Sequence, residues 1–329
     1  MARIVSFRMR TLPRPTLPGH AALGLAATLA CTACAGEDPA PPGPGVTISD
    51  RAITASTGTF RVPGGADLFE CFYTSTITDR ELATRGAMAV QGEGGHHLAL
   101  YYTMAHMPPQ HHPCDDAEMA NWNIVAVAGS EAGGGDDQTL PEGLATRIPP
   151  GAQLVIQAHY INAEPEEIAV ADVLDVEVVD PSSVTAYANQ FVLNHEGFDV
   201  AARSRVEATY VCRAPQDLQI AMFMGHMHQS GVHFRLERLP ETGDVGEVMY
   251  EHDWESAFVS HPPVVKYTMD APLSIPTGTR FRQRCLWDNT GDTPLAFPTE
   301  MCITAMWYFP DTGGGQLFCE RESATQTTL

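Results

Sequence analysis

Histidine carries most of the chemistry this sequence can offer: there are 13, and three groups of them have spacings suited to a metal. The first is Gly94-Gly95-His96-His97. Side chains alternate faces along a regular strand, so adjacent histidines point apart and cannot share an ion. Two preceding glycines allow the bulged or twisted backbone that would bring both imidazoles to one side. The second is His159 in LVIQAHY, where a period of two puts Gln157 and His159 on one face. The third is His226-Met227-His228, which sets two rings on one face behind Gly225. Same-face histidine pairs are a frequent metal geometry, and imidazole suits zinc and copper alike. Each group alone also has a structural reading. Exposed His pairs occur at turns, a lone strand histidine can be a hydrogen-bonded core residue, and Met301, one of 13 methionines, can be packing.

Such side chains need strands to aim them. Short β-rich runs recur along the chain: HHLALYYT, AQLVIQAHYIN, VLDVEVV, QIAMFM, VHFRLERL, RFRQRCLW and MCITAMWYF. Pro-Pro-Gly, Gly-Gly-Gly and Asp-Asn-Thr-Gly-Asp stand between them as turns. A 3.6-residue period is missing, apart from a short helix expected near Asp115–Ala120. The pattern predicts an all-β chain of two antiparallel β-sandwich (jelly-roll-like) domains in tandem. The turn Asp180-Pro181-Ser182-Ser183 marks the boundary, giving domains over 47–181 and 182–322.

Composition narrows the partners. The 329 residues are 44% hydrophobic and 18% charged, with a net charge of −21. A surface that acidic repels phosphate backbones, which argues against nucleic acid. Four arginines precede the apolar run Ala21–Ala30, which ends at Cys31-Thr32-Ala33-Cys34, so residues 1–34 read as a signal peptide. A cysteine there suggests a bacterial lipoprotein, acylated at Cys31 or Cys34 and anchored to the cell envelope. Neither cysteine has Leu three residues ahead, so plain secretion stays open. Residues 35–46 form a Pro/Gly-rich linker. The six remaining cysteines, Cys71, Cys114, Cys212, Cys285, Cys302 and Cys319, suit disulfides in an exported chain.

In their order, the motifs HHLALYYT, LVIQAHY, HMH within QIAMFMGHMHQSGVHFRL, and EMCITAMWYF resemble those of the type II copper, ascorbate-dependent monooxygenases. That is the family of peptidylglycine hydroxylating monooxygenase and dopamine β-monooxygenase, and the resemblance covers roughly residues 48–322. It implies two β-sandwich domains, each with one mononuclear copper, facing each other across a solvent-filled cleft. It implies His96, His97 and His159 as ligands of an electron-supplying copper. His226, His228 and Met301 become ligands of the oxygen-binding, catalytic copper. It also implies the pairs Cys71–Cys114, Cys212–Cys319 and Cys285–Cys302, and ascorbate or an equivalent as electron donor. The chemistry is coherent, because a thioether favours Cu(I), the state that meets O2.

Departures from the family concern the substrate. Met224 stands where the peptide-hydroxylating enzymes have an Arg that grips a carboxylate, and Ala305 stands where they have a Tyr. A peptide C-terminus therefore lacks partners here, and Met222, Met224 and Ala305 suggest an apolar pocket for another small molecule. Another residue such as Arg235 could replace the missing guanidinium, and His233 is a reserve ligand. Two other functions compete. One is a non-catalytic copper-binding exported lipoprotein. The other is a zinc-dependent hydrolase, against which no Asp or Glu within the His motifs offers a general base.

Overall fold

Period-two alternation becomes buried faces. Along Ser204–Arg213, Val206, Ala208, Tyr210 and Cys212 are buried and the residues between them are not, as a sheet with one face on a core requires. The computed structural model describes residues 43–119, 121–129, 138–259, 261–313 and 315–329. The expected signal peptide, Cys31, Cys34 and most of the expected Pro/Gly linker lie outside them. The fold is all-β; the expected short helix is present as Asp116–Met119.

Four sheets hold most strands. A six-stranded sheet takes, in order, Gly45–Ile48, Ala52–Val62, Ile168–Val179, Leu82–Val90, Leu144–Ile148 and Ala186–Tyr187. A five-stranded sheet of Gln110–Pro113, Asp67–Ile77, Gln153–Ile161, Gly95–Thr103 and Asn123–Gly129 shares a core with it. Ile53, Phe60 and Leu174 from the first meet Phe72, Leu98 and Ile156 from the second. Beyond residue 188 the arrangement recurs. One sheet is built on Leu218–His226, Ile303–Phe309 and Asn189–Asn194. The other is Glu247–Asp253, Gly231–Leu239, Arg280–Asn289, Ser204–Arg213 and Glu320–Thr328. Phe191, Phe223 and Met306 pack there on Phe234, Phe281 and Trp287.

Pairing is antiparallel except for two short edges, Ala186–Tyr187 on Leu144–Ala145 and Phe191–Val192 on Leu317–Phe318. Ala186–Tyr187, beyond the Asp180–Ser183 turn, still belongs to the first pair of sheets. Leu140 and Leu144 pack with Ala221, Met222 and Phe309, so a small apolar cluster joins the two sandwiches.

Three disulfides brace the strands: Cys71–Cys114, Cys212–Cys319 and Cys285–Cys302. They are the pairs the resemblance implies, and they suit an extracellular or periplasmic compartment. No helix among the described residues is long and apolar enough to cross a membrane.

Candidate metal centre

The His-His pair sits on a bulge. Strands Gly95–Thr103 and Gln153–Ile161 are antiparallel neighbours with His97 opposite His159, but the register slips between Gly95 and His97. His96 is the extra residue, and the bulge turns its ring back toward that of His97. Both glycines are needed. Gly94 has φ of 77°, and a Cβ on Gly95 would come within 2.4 Å of the Gln91 Cβ. The two Nδ1 atoms end 3.0 Å apart. With His159 they form a group whose ligand nitrogens all lie within 4.8 Å of one another, close enough to hold a metal ion.

A second layer fixes His159. Its Nε2–H donates to Asp67 Oδ1 at 2.8 Å, and the Phe69 ring stacks on it at 3.8 Å. The tautomer is thereby set, leaving an Nδ1 lone pair that is buried without a partner. Gln157 hydrogen-bonds His97.

The second group is assembled differently. His226 ends its strand and His228 lies in the turn before Gly231–Leu239; their ring centroids are 5.1 Å apart. His228 Nδ1–H donates to the Thr299 carbonyl at 2.9 Å, and its Nε2 is buried without a partner. Glu300, 2% exposed, accepts from the backbone N–H of His228 at 3.1 Å and of Ser230 at 2.6 Å. It also accepts from Trp287 Nε1 at 3.0 Å. Burial pushes the Glu300 carboxyl up to about 7 against these donors. Met301 follows directly, partly buried, between this clasp and the disulfide-bonded Cys302.

The two groups meet. His228 lies 5.3 Å from His96 and 5.7 Å from His159 between ring centroids. The solvent-filled cleft implied by the resemblance is therefore absent at this point, because His96, His159 and His228 are all buried against one another. His97, His226 and Met301 are each partly exposed. Burial first, and neighbouring imidazoles second, hold His96 down to about 2. Burial and then His228 hold His159 down to about 3. Burial likewise lowers His97, His226 and His228. All five rings are neutral near pH 7 and keep the lone pairs that a metal requires.

Other candidates fall away from this cluster. His233 does sit at a strand irregularity beside Gly231, but its nitrogens engage Asp253 at 2.9 Å and Glu251 at 3.2 Å. Arg235 is bound to Glu251 at 2.6 Å and Glu237 at 3.2 Å, so its guanidinium is committed elsewhere. His111 pairs with Glu70 at 2.6 Å, and His106 hydrogen-bonds the Gly151 carbonyl at 2.7 Å. Met222 is packed between the sandwiches. Met224, directly opposite Ala305, stays partly exposed on the face that carries His226.

Asp67, Phe69, Thr299 and Glu300 escaped the motif reading. Asp67 reaches His159 across 92 residues of sequence, which no local pattern encodes. Glu300 did leave a trace, as a lone acid beside Met301 at the head of an apolar strand. The chain matches no family model and no curated protein.

Proposed function

We propose that this protein is a copper-dependent monooxygenase that hydroxylates a C–H bond of a small organic substrate, using O2 and an ascorbate-like reductant. The supporting observation is the convergence of His96, His97, His159, His226 and His228, with Met301 one residue from the clasp on His228. The residues fit the metal. Buried, unpartnered nitrogens on His159 and His228 are costly unless a Lewis acid takes their lone pairs. Imidazole alone suits zinc as well; the soft thioether of Met301 favours copper.

His96, His97 and His159 would hold one ion, and His226, His228 and Met301 the other. Copper bound there would supply one-electron chemistry and activation of O2. The chain's own work is positional. Asp67 and the Thr299 carbonyl each fix one imidazole tautomer, so the rings need no reorganisation to bind. Burial of His96, His159 and His228 keeps water from the inner side. Met224 and Ala305 present an apolar surface beside His226, suited to the hydrocarbon part of a substrate.

The test is metal analysis and EPR on protein purified without added metal, followed by O2 uptake with ascorbate and candidate substrates. About two copper ions per chain and substrate-dependent O2 uptake are expected. Copper without uptake would favour a non-catalytic copper protein. Stoichiometric zinc with no copper affinity would end the reading.

A further inference from the structure

We infer that Glu300 is a positioning residue that assembles the second metal site, holding the His228 turn and the Met301 segment together through one buried carboxylate. The inference rests on the ligand reading above. Its basis is geometric. One carboxylate oxygen takes the His228 N–H and the Trp287 indole N–H, and the other takes the Ser230 N–H. The backbone N–H of Met301 is a further donor. Glu300 thus ties three elements: the turn after Leu218–His226, the strand Arg280–Asn289 and the segment leading into Ile303–Phe309.

The preceding Thr299 carbonyl takes the His228 ring N–H, so two successive residues grip both the backbone and the ring of one ligand. Met301 follows them directly in the chain, its backbone N–H bonded to the same carboxylate. A carboxylate with 2% exposure is expensive to bury. Only N–H donors stabilise it, with no Lys or Arg among the groups that act on it. The first group has a counterpart in Asp67 behind His159.

Glu300→Gln is the informative variant because it is nearly isosteric. An amide offers one acceptor oxygen and one NH2 group. Whichever way it turns, an N–H now faces either Ser230 or the His228–Trp287 pair without an acceptor. Copper per chain, the Cu–S component of the reduced protein's X-ray absorption, and the melting temperature of the metal-free protein should be measured together. The expected result is loss of the Cu–S component and a fall of about 10- to 100-fold in copper affinity at the second site, with the three-histidine site still loaded.

Glu300→Asp keeps two acceptor oxygens on a shorter stem and should recover part of the Cu–S signal. If the Gln protein fails to fold, the Asp protein carries the test through unequal loss at the two sites. Unchanged Cu–S in either folded variant, or equal losses at both sites, would overturn the inference. A wild-type protein without a Cu–S component would instead show that the ligand reading itself is wrong.

Discussion

The two candidate ligand groups are built on opposite plans. His97 and His159 face each other across hydrogen-bonded strands, and a bulge adds His96. His226 ends a strand, His228 lies in a turn, and Met301 comes from the segment before another strand. The first group is therefore set by sheet register, which a packed core enforces along the whole strand. The second depends on a few side-chain hydrogen bonds and the Cys285–Cys302 bridge, elements that can yield locally. A sheet-borne site should keep its shape when its neighbours change, whereas a clasped site should not.

The largest effect should come from removing one ligand of each group. Met301→Leu nearly conserves volume, so the stability cost should stay below about 1.5 kcal/mol. Hydroxylation should nevertheless almost vanish, with the Cu–S component gone and one copper retained. His96→Ala should be equally inactive but keep the Cu–S component. An active, copper-replete Met301→Leu protein would remove Met301 from the second group. Turnover and X-ray absorption on the reduced variants give both readings.

A smaller effect concerns a histidine outside both groups. His195 is 2% exposed, stacks on Tyr210 at 5.4 Å, and has an unpartnered Nε2. Burial, aided by Arg321, lowers it from 6.5 to about 4. The folded state thus keeps the ring neutral in a range where the unfolded chain takes a proton. Its stability contribution is complete above 6.5, falls as pH drops from 6.5 to about 4, and changes no further below that. The total is on the order of 3 kcal/mol. His195→Phe should flatten the pH dependence of the melting temperature across that window. An unchanged slope would place the ring in contact with water.

Asp67→Asn tests the sheet-borne group gently. Asparagine can still accept from His159 Nε2 but has no charge, so copper affinity at the first site should fall by about 10-fold. The second site should be unaffected. If both sites weaken together, the ring contacts between His228 and the first group couple the two plans, and their separation is a matter of chain order alone. Copper titration followed by EPR distinguishes the outcomes.

How much of this was legible in the sequence follows the same division. Alternation and turn chemistry are local, so the all-β fold, the helix near Asp115 and the His96 bulge could be read from neighbouring residues. Gly94 and Gly95 announced that bulge because only a residue without Cβ fits there. The contact of His228 with His96 and His159 depends on how the two sandwiches sit together, and no motif carries that information. Met222 illustrates the cost. The departures from the family suggested a pocket shared with Met224 and Ala305, yet the apolar cluster with Leu140 and Phe309 claims Met222 for packing.

The smallest expected effect bounds the second group. His233 follows the H-x-H turn closely, and the register slip between Gly231 and His233 is the irregularity that would be needed to turn its ring toward His228. The ring instead engages Asp253 and Glu251. Those pairs are solvent-exposed, and exposed pairs contribute roughly 0–1 kcal/mol. His233→Ala should therefore change stability by about 0.5 kcal/mol or less and leave copper content, the Cu–S component and turnover as in the wild type. The same irregularity that recruits His96 into the first group then contributes nothing to the second, because carboxylates on the neighbouring strand hold the ring away. Loss of one copper in His233→Ala would reverse that conclusion. It would make the second group a bulge-built site like the first, with His233 as a ligand.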